Sequence, residues 1–302
     1  MKVAIMPSTP ALNSLSRIAI AGASGRVGTA LVAGLATEAV NVIALTRMPK
    51  SNRFPSHIAQ ALVDFDKSAS LQEALEGVDR FFLAQGTSPR QVENEIALID
   101  AAIAAGVKHI VKLSAASLPA KLHPFDWHAR VEAYLVSRDI GYTILRPTTF
   151  FDTLVRAGKA VQENTWGGSA GQGIVNLIDT RDVADAAKAV LLEPESTYWQ
   201  RAFHLTGPRA WSMDEVAREL TRLLGKSVAY TQRTPTEERQ RLLNSGVSEF
   251  VVDLLVGLDR TVRESSLQEE TNTVQLLTGH APRQLPEWLS ENISLFGGAT
   301  VS

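Results

Sequence analysis

Apolar residues recur along the first half of the chain in two alternating rhythms. Compact runs, which suit strands buried on both faces, are followed by stretches with apolar residues three and four apart, which suit helices packed by one face. Residues 17–21 form such a run and end at Gly22, after which Val27, Leu31 and Leu35 fall on one helical face. The pattern predicts further strands at 41–45, 61–63, 80–83, 109–113 and 141–145, with helices at 70–75, 91–105 and 126–137. In the 91–105 helix, Val92, Ile96, Ile99 and Ile103 share a face and Gly106 stands as the C-terminal stop. Strands separated by helices pair in parallel through right-handed crossovers, so the expected class is α/β, a Rossmann-type doubly wound parallel sheet.

The second half is less regular. A strand is expected at 174–177, and a helix at 181–192 with Val183, Ala186, Ala187 and Val190 facing inward. A strand at 202–205 rejoins the sheet. Ser212 and Glu215 make a capping box for a helix that stops at Gly225, and Thr234, Pro235 and Glu237 repeat the start signal with proline at the first helical position. The remainder, to about Phe296, reads as mostly helical. The stretch 164–173 holds four glycines and reads as a mobile loop.

The first predicted strand runs straight into Gly22-Ala23-Ser24-Gly25-Arg26-Val27-Gly28 and then a helix. Each glycine has its own reason: one lets the chain turn sharply, one lets the backbone approach a diphosphate, one lets the helix pack close to the strand. The backbone of Ser24, Gly25, Arg26 and Val27 would face that diphosphate, helped by the helix dipole. A glycine triplet alone is weak; between a strand and a helix it is a dinucleotide signature. An NAD enzyme places an acid on the ribose about 20 residues further on. Here the second strand ends at Leu45-Thr46-Arg47, with Lys50 nearby and no acid. A guanidinium at Arg47 suits a 2′-phosphate, so the cofactor expected is NADP(H). Asp64 and Phe65 follow the third strand, where the adenine would lie; Asp64 either accepts from the adenine amino group or makes a plain turn with Asp66.

Composition narrows the function classes. The chain has 302 residues, 45% hydrophobic and 21% charged, which is ordinary globular usage. A formal net charge of -2 argues against nucleic acid as a partner. With no cysteine, disulfides, thiolate ligands and thiol nucleophiles are excluded. The six histidines form no ligand-spaced cluster, so no metal is expected. No segment approaches the ~20 apolar residues of a membrane span, and no secretory leader is read, so a soluble cytoplasmic protein is expected. The partner expected is a small-molecule substrate, with the oligomeric state open between monomer and homodimer.

From Arg17 to Phe296 the chain resembles the NmrA-like group of atypical short-chain dehydrogenases. The resemblance is carried by Gly22–Gly28, residues 45–47, 63–65, 105–114 (Ala-Gly-Val-Lys-His-Ile-Val-Lys-Leu-Ser), 142–147 (Tyr-Thr-Ile-Leu-Arg-Pro), 179–184, 205–208 and 277–279. It implies a dinucleotide-binding core with a smaller, mostly helical substrate lobe: an extension over 1–16, the core over 17–155, and a C-terminal part over 156–302 that returns some elements to the core. The group includes NADPH-dependent reductases of quinones, dyes and imine-like compounds, and regulators that bind the cofactor without turnover.

Short-chain dehydrogenases usually carry a catalytic tyrosine with a lysine four residues later. The resemblance puts Pro124 at the first position and His128 at the second, so His128 would hold the ribose or supply a proton near neutral pH. Ser114 falls where the superfamily often has a catalytic serine. Without the tyrosine, reduction of a simple ketone lacks its proton donor. A quinone, enone, iminium or dye-like acceptor spreads or neutralises charge itself and needs mainly positioning. Strand ends should line the nicotinamide half: Ala84, Gln85 and Gly86, then Pro147 and Phe150, with Phe151 and Trp166 as an aromatic substrate wall. The rival expectation is a redox sensor that binds NADP(H) without turnover; an NAD-dependent epimerase is disfavoured by the missing tyrosine.

Overall fold

The computed structural model describes residues 15–48, 54–116, 125–193 and 197–298. Nearly all of the expected 1–16 extension, and Lys50 and Pro124, lie outside the described residues.

Strand β1 (Arg17–Ile20) is central because its apolar residues are buried on both faces: Ile18 and Ile20 pack to one side, Ala19 to the other. Helix α1 (Arg26–Leu35) follows, then β2 (Asn41–Thr46), β3 (Ala59–Leu62), α2 (Ser68–Leu75) and β4 (Arg80–Leu83). Next come α3 (Gln91–Ala104), β5 (His109–Leu113), α4 (Phe125–Val136), β6 (Gly141–Pro147) and the short β7 (Thr149–Phe150). A 3-10 turn over Phe151–Ala157 leads into α5 (Gly158–Gln162), β8 (Gly167–Gly168), β9 (Ile174–Ile178), α6 (Thr180–Leu192) and β10 (Arg201–Leu205).

Seven strands form one parallel sheet in the order β10-β6-β5-β4-β1-β2-β3. The chain leaves β1 in one direction for β2 and β3, then returns to place β4 on its other side. The strand order therefore reverses between β1 and β4, where crevices open in sheets of this kind. One face is covered by α1 and α6, with Leu31, Val183 and Phe82 in its core. The other is covered by α2, α3 and α4, with Phe81, Leu98 and Val131. β3 lies two residues earlier than its expected start at 61. It is an edge strand and mostly exposed, so no apolar run marks it.

The rest of the chain adds β11 (Ala210–Ser212), α7 (Met213–Leu224), β12 (Thr231–Gln232), α8 (Pro235–Asn244), α9 (Glu249–Arg263), α10 (Thr273–Thr278) and α11 (Leu285–Glu291). Both expected capping boxes form: Ser212 and Glu215 bond reciprocally at the start of α7, as do Thr234 and Glu237 at α8, and Gly225 ends α7 at φ +64°. A third core gathers Phe151, Trp166, Trp211, Trp288 and Phe296. Among the described residues, no helix is long and apolar enough to cross a membrane.

The expectation of a mobile loop at 164–173 is corrected. β8 pairs in parallel with β12, and the Ser169 amide and hydroxyl both donate to Asp259 Oδ2, at 2.6 and 3.0 Å. A Cβ on Gly173 would sit 1.9 Å from the Val262 carbonyl oxygen, so this glycine serves close packing against α9 rather than freedom.

Candidate functional site

A cleft of about 770 Å³ opens where the strand order reverses, along the C-terminal ends of the strands. Its first end is made of main chain. Gly22 turns at φ +69°, and a Cβ there would lie 2.8 Å from the Ala84 carbonyl oxygen. The Gly25 amide donates to the Gly22 carbonyl at 2.9 Å, closing the turn. A Cβ on Gly28 would meet that same oxygen at 2.1 Å, so only glycine lets α1 pack this close. Gly25 is the N-cap of α1 and offers no side chain to its first amides. Those amides, with the positive end of the helix dipole, are suited to an anion.

The expected residues Gly22, Ser24, Gly25, Arg26, Val27, Gly28, Thr46, Arg47, Phe65, Ala84, Gln85, Gly86, Pro147 and Phe150 all line the cleft. Thr46 Oγ1 donates to the Met48 carbonyl at 3.0 Å and accepts the Met48 amide at 3.1 Å, a turn that carries Arg47 to the exposed rim. Arg26 uses its Nε on Asp152 Oδ1 at 3.0 Å, tying the glycine turn to the 3-10 segment. Gln85 Oε1 is buried in this wall without a hydrogen-bond partner. Asp64 does not line the cleft. Its carboxylate accepts the Asp66 amide at 3.0 Å and pairs with Lys67 at 3.3 Å, and these contacts hold it below the usual carboxylate range. It is a turn residue.

The other end is made of side chains. Ser114 and His128 both line the cleft, as expected. The Ser114 hydroxyl donates to Glu132 Oε1 at 2.5 Å, and Arg146 holds the same carboxylate through Nε at 3.0 Å and Nη2 at 2.5 Å. With its proton on Glu132, the Ser114 hydroxyl has only oxygen lone pairs to offer a ligand. Burial pushes the His128 imidazole down to about 3, with the Lys112 charge adding to the effect. That lowering favours the neutral ring and weighs against the expected supply of a proton near neutral pH. Behind it, Lys112 Nζ lies 2.8 Å from Glu95 Oε2, both side chains fully buried, and 3.4 Å from His128 Nδ1.

Phe151 and Trp166 are not in the wall. Phe151 is fully buried against Trp288, ring centroids 5.8 Å apart, and Trp166 packs edge-on to Tyr230 at 5.1 Å. The chain enters its 3-10 turn at Phe151, so Phe150 faces the cleft while Phe151 turns into the third core. The apolar wall is supplied instead by Leu254 and Leu258 of α9 and by Leu267. Leu254 and Leu258 are one helical turn apart, the signal by which they were detectable. Thr87, Ser88 and Thr153 also line the cleft without having been expected there.

A model of the NmrA-like family matches residues 14–269. The NAD(P)H azoreductase of Xenophilus azovorans is 29% identical over 287 residues, covering 93% of this chain and 100% of that protein. The NADPH-dependent quinone oxidoreductase of Escherichia coli, solved with NADPH, superimposes with a TM-score of 0.83 at 28% identity, covering 91% of this chain and 99% of that one. The triphenylmethane reductase of Citrobacter sp., solved with NADP(H), gives a TM-score of 0.83 at 25% identity, with the same coverage of 91% and 99%.

Proposed function

The chain belongs to the NmrA-like family, and from that premise we propose that it is an NADPH-dependent reductase that delivers hydride to a small conjugated electrophile without a tyrosine–lysine pair. The observation that carries this reading is the single cleft that joins the uncapped amides of α1 to the His128 wall. The glycine cradle fits a diphosphate, which the amides of residues 26–28 would hold. Arg47 would meet a 2′-phosphate, and Phe65 would flank the adenine. Bound NADPH supplies a hydride. The relatives that are named for quinones, azo compounds and triphenylmethanes support an acceptor of conjugated type.

The residues of this chain bind and orient. The division into a core over 17–155 and a substrate part over 156–302 belongs to this reading, with Leu254, Leu258 and Leu267 packing against the acceptor. Among the described lining residues there is no tyrosine and no lysine, Ser114 is engaged by Glu132, and burial favours the neutral form of His128. The missing acid suits an acceptor that delocalises the charge it gains and takes its proton from water.

The test is loss of reduced-nicotinamide absorbance when the protein meets NADPH and a panel of quinones, enones and azo or cationic dyes, with NADH as control. Turnover with NADPH preferred is the expected result. The absence of a strong acid in the cleft also favours a second reading, a sensor of NADP(H); tight NADPH binding with no turnover across the panel would select it. Binding of neither nucleotide would refute both.

A further inference from the structure

The polar cluster behind His128 assigns its tautomer. Lys112 Nζ stands 3.4 Å from His128 Nδ1, 2.8 Å from Glu95 Oε2 and in contact with the Leu113 carbonyl. Lys112 Nζ and the Gln91 side-chain nitrogen face the two ring nitrogens and both can only donate; the charged donor makes the stronger bond, so Nδ1 accepts from the ammonium and the one proton of the neutral ring sits on Nε2. That Nε2 lies 3.4 Å from the side-chain nitrogen of Gln91. The Gln91 amide is itself oriented, because its nitrogen donates to Glu95 Oε1 at 3.1 Å. An amide nitrogen cannot accept. The Nε2–H of a residue that lines the cleft is thus left with no acceptor among the described residues.

His128 is half-buried, and an N–H set against another donor is poorly satisfied there; a ligand oxygen that accepts from it completes the bond. The cleft also has a sign. Its described lining residues include Arg47, and Arg26 paired with Asp152, but no carboxylate. The other charged groups packed at this end, Glu132 with Arg146 and Glu95 with Lys112, are paired with each other. No described lining residue offers a counter-charge to a cationic acceptor, whereas an unsatisfied N–H donor suits an acceptor whose oxygen turns negative.

We propose that the buried Lys112–Glu95 pair is a positioning device that holds His128 as its Nε2–H tautomer against the competing Gln91 donor. The ring then presents a neutral donor to the oxygen of a neutral carbonyl acceptor, a quinone or an enone. This rests on the reductase reading above. The acceptor gains hydride at carbon, the carbonyl π pair moves to oxygen, and the resulting anion is stabilised by the Nε2–H bond without proton transfer from the ring. Water then supplies the proton that completes the reduced product, while NADPH leaves as NADP⁺.

The tautomer is readable without turnover, by ¹⁵N–¹H correlation of the imidazole in the full-length protein. His128 is expected to show a protonated Nε2 and a bare Nδ1, unchanged from pH 5 to pH 8. In the charge-neutral double variant Lys112→Met/Glu95→Gln the preference for Nε2–H is expected to disappear. A ring protonated on Nδ1, or on both nitrogens at pH 7, would overturn the lock, and because that measurement uses the native chain it does not depend on any variant folding.

Turnover then tests the role. Losing one preorganised donor typically costs on the order of 100-fold, so His128→Leu is expected to lower kcat/KM for a neutral quinone by about that factor, with NADPH affinity unchanged. His128→Gln, which keeps an N–H, should recover most of the loss. A cationic triarylmethane dye should be a poorer substrate than the quinone. Equal activity of the Leu and Gln variants, or preference for the cationic dye, would overturn the acceptor assignment. A native protein that turns over nothing would overturn the reductase reading, and with it the acceptor, while leaving the tautomer measurement to stand or fall alone.

Discussion

At the glycine end of the cleft the wall is main chain held by short-range geometry: Gly22 at φ +69°, the Gly25 amide on the Gly22 carbonyl, and Gly28 with no room for a Cβ. At the His128 end it is side chains, carried in by α3, β5 and α4 and faced by leucines from α9 and the segment after it. The first end needs a local run of residues in order. The second needs the tertiary fold to be complete before any of its contacts exist. The two should therefore fail differently. Damage to the glycine turn should abolish nucleotide binding, while damage at the far end should show as lost stability or altered acceptor use with nucleotide binding intact.

The largest effect is expected at Lys112. Lys112→Met leaves the Glu95 carboxylate fully buried without its counter-charge, a loss that typically costs about 3–5 kcal/mol of stability. Lys112→Met/Glu95→Gln removes the ion and its partner together, so most of that stability should return. Denaturant unfolding of both variants checks it, and equal destabilisation would show that the pair's charge is not what matters. Next comes Gly28→Ala. The added methyl would sit 2.1 Å from the Gly22 carbonyl oxygen, so α1 must move off its strand and its first amides with it. NADPH binding, followed by fluorescence, should weaken by about 100-fold or more, the scale of losing charge-assisted bonds to a diphosphate. Near-native affinity would mean that the turn is not the nucleotide cradle.

How much of this was legible in the residue order follows the same division. The buried strands, the Gly22–Gly28 turn, both capping boxes and the glycine stops at Gly106 and Gly225 are local features, and each formed where its residues stood. The misses are tertiary. β3 has too little burial to leave an apolar run. The glycines at 164–173 signal closeness to α9 and to the β12 segment, which a one-dimensional reading takes for looseness. Phe150 and Phe151 are neighbours of like type that a 3-10 turn sends to opposite sides. Nothing in the order of residues pairs Lys112 on β5 with Glu95 on α3, or Ser114 with Glu132, so the chemistry of the His128 end was only half visible.

Smaller effects sharpen the contrast between the ends. Arg47 stands exposed at the rim of the glycine end. If it meets the 2′-phosphate, Arg47→Gln should reduce the preference for NADPH over NADH by about 10- to 100-fold while NADH binding barely changes, in line with a charged hydrogen bond. A parallel loss for both nucleotides would move Arg47 to a general structural role. Leu258→Asp places a carboxylate in the apolar wall opposite. The KM for a neutral quinone should rise about tenfold, the worth of one well-placed apolar contact, and NADPH affinity should stay within about twofold. A rise in the NADPH constant instead would mean that α9 covers the nucleotide rather than the acceptor.

The smallest change is expected at Ser114, although its position alone would rank it among the most sensitive. Its hydroxyl donates at 2.5 Å to a carboxylate that already receives two bonds from Arg146. Ser114→Ala removes one of three donors to Glu132 and leaves the ion pair, so no buried charge is stranded. Turnover of a quinone should therefore change by no more than about threefold, below the roughly 100-fold expected when a group that bonds the reacting oxygen is removed. Unfolding should be easier by about 1.5 kcal/mol, the lower end for one hydrogen bond to a charged group. The comparison with His128→Leu separates the two residues on the same wall. If Ser114→Ala proved as damaging as His128→Leu, with NADPH still bound, the serine would have to turn from Glu132 to the acceptor during reaction, and the oxyanion would have two donors instead of one.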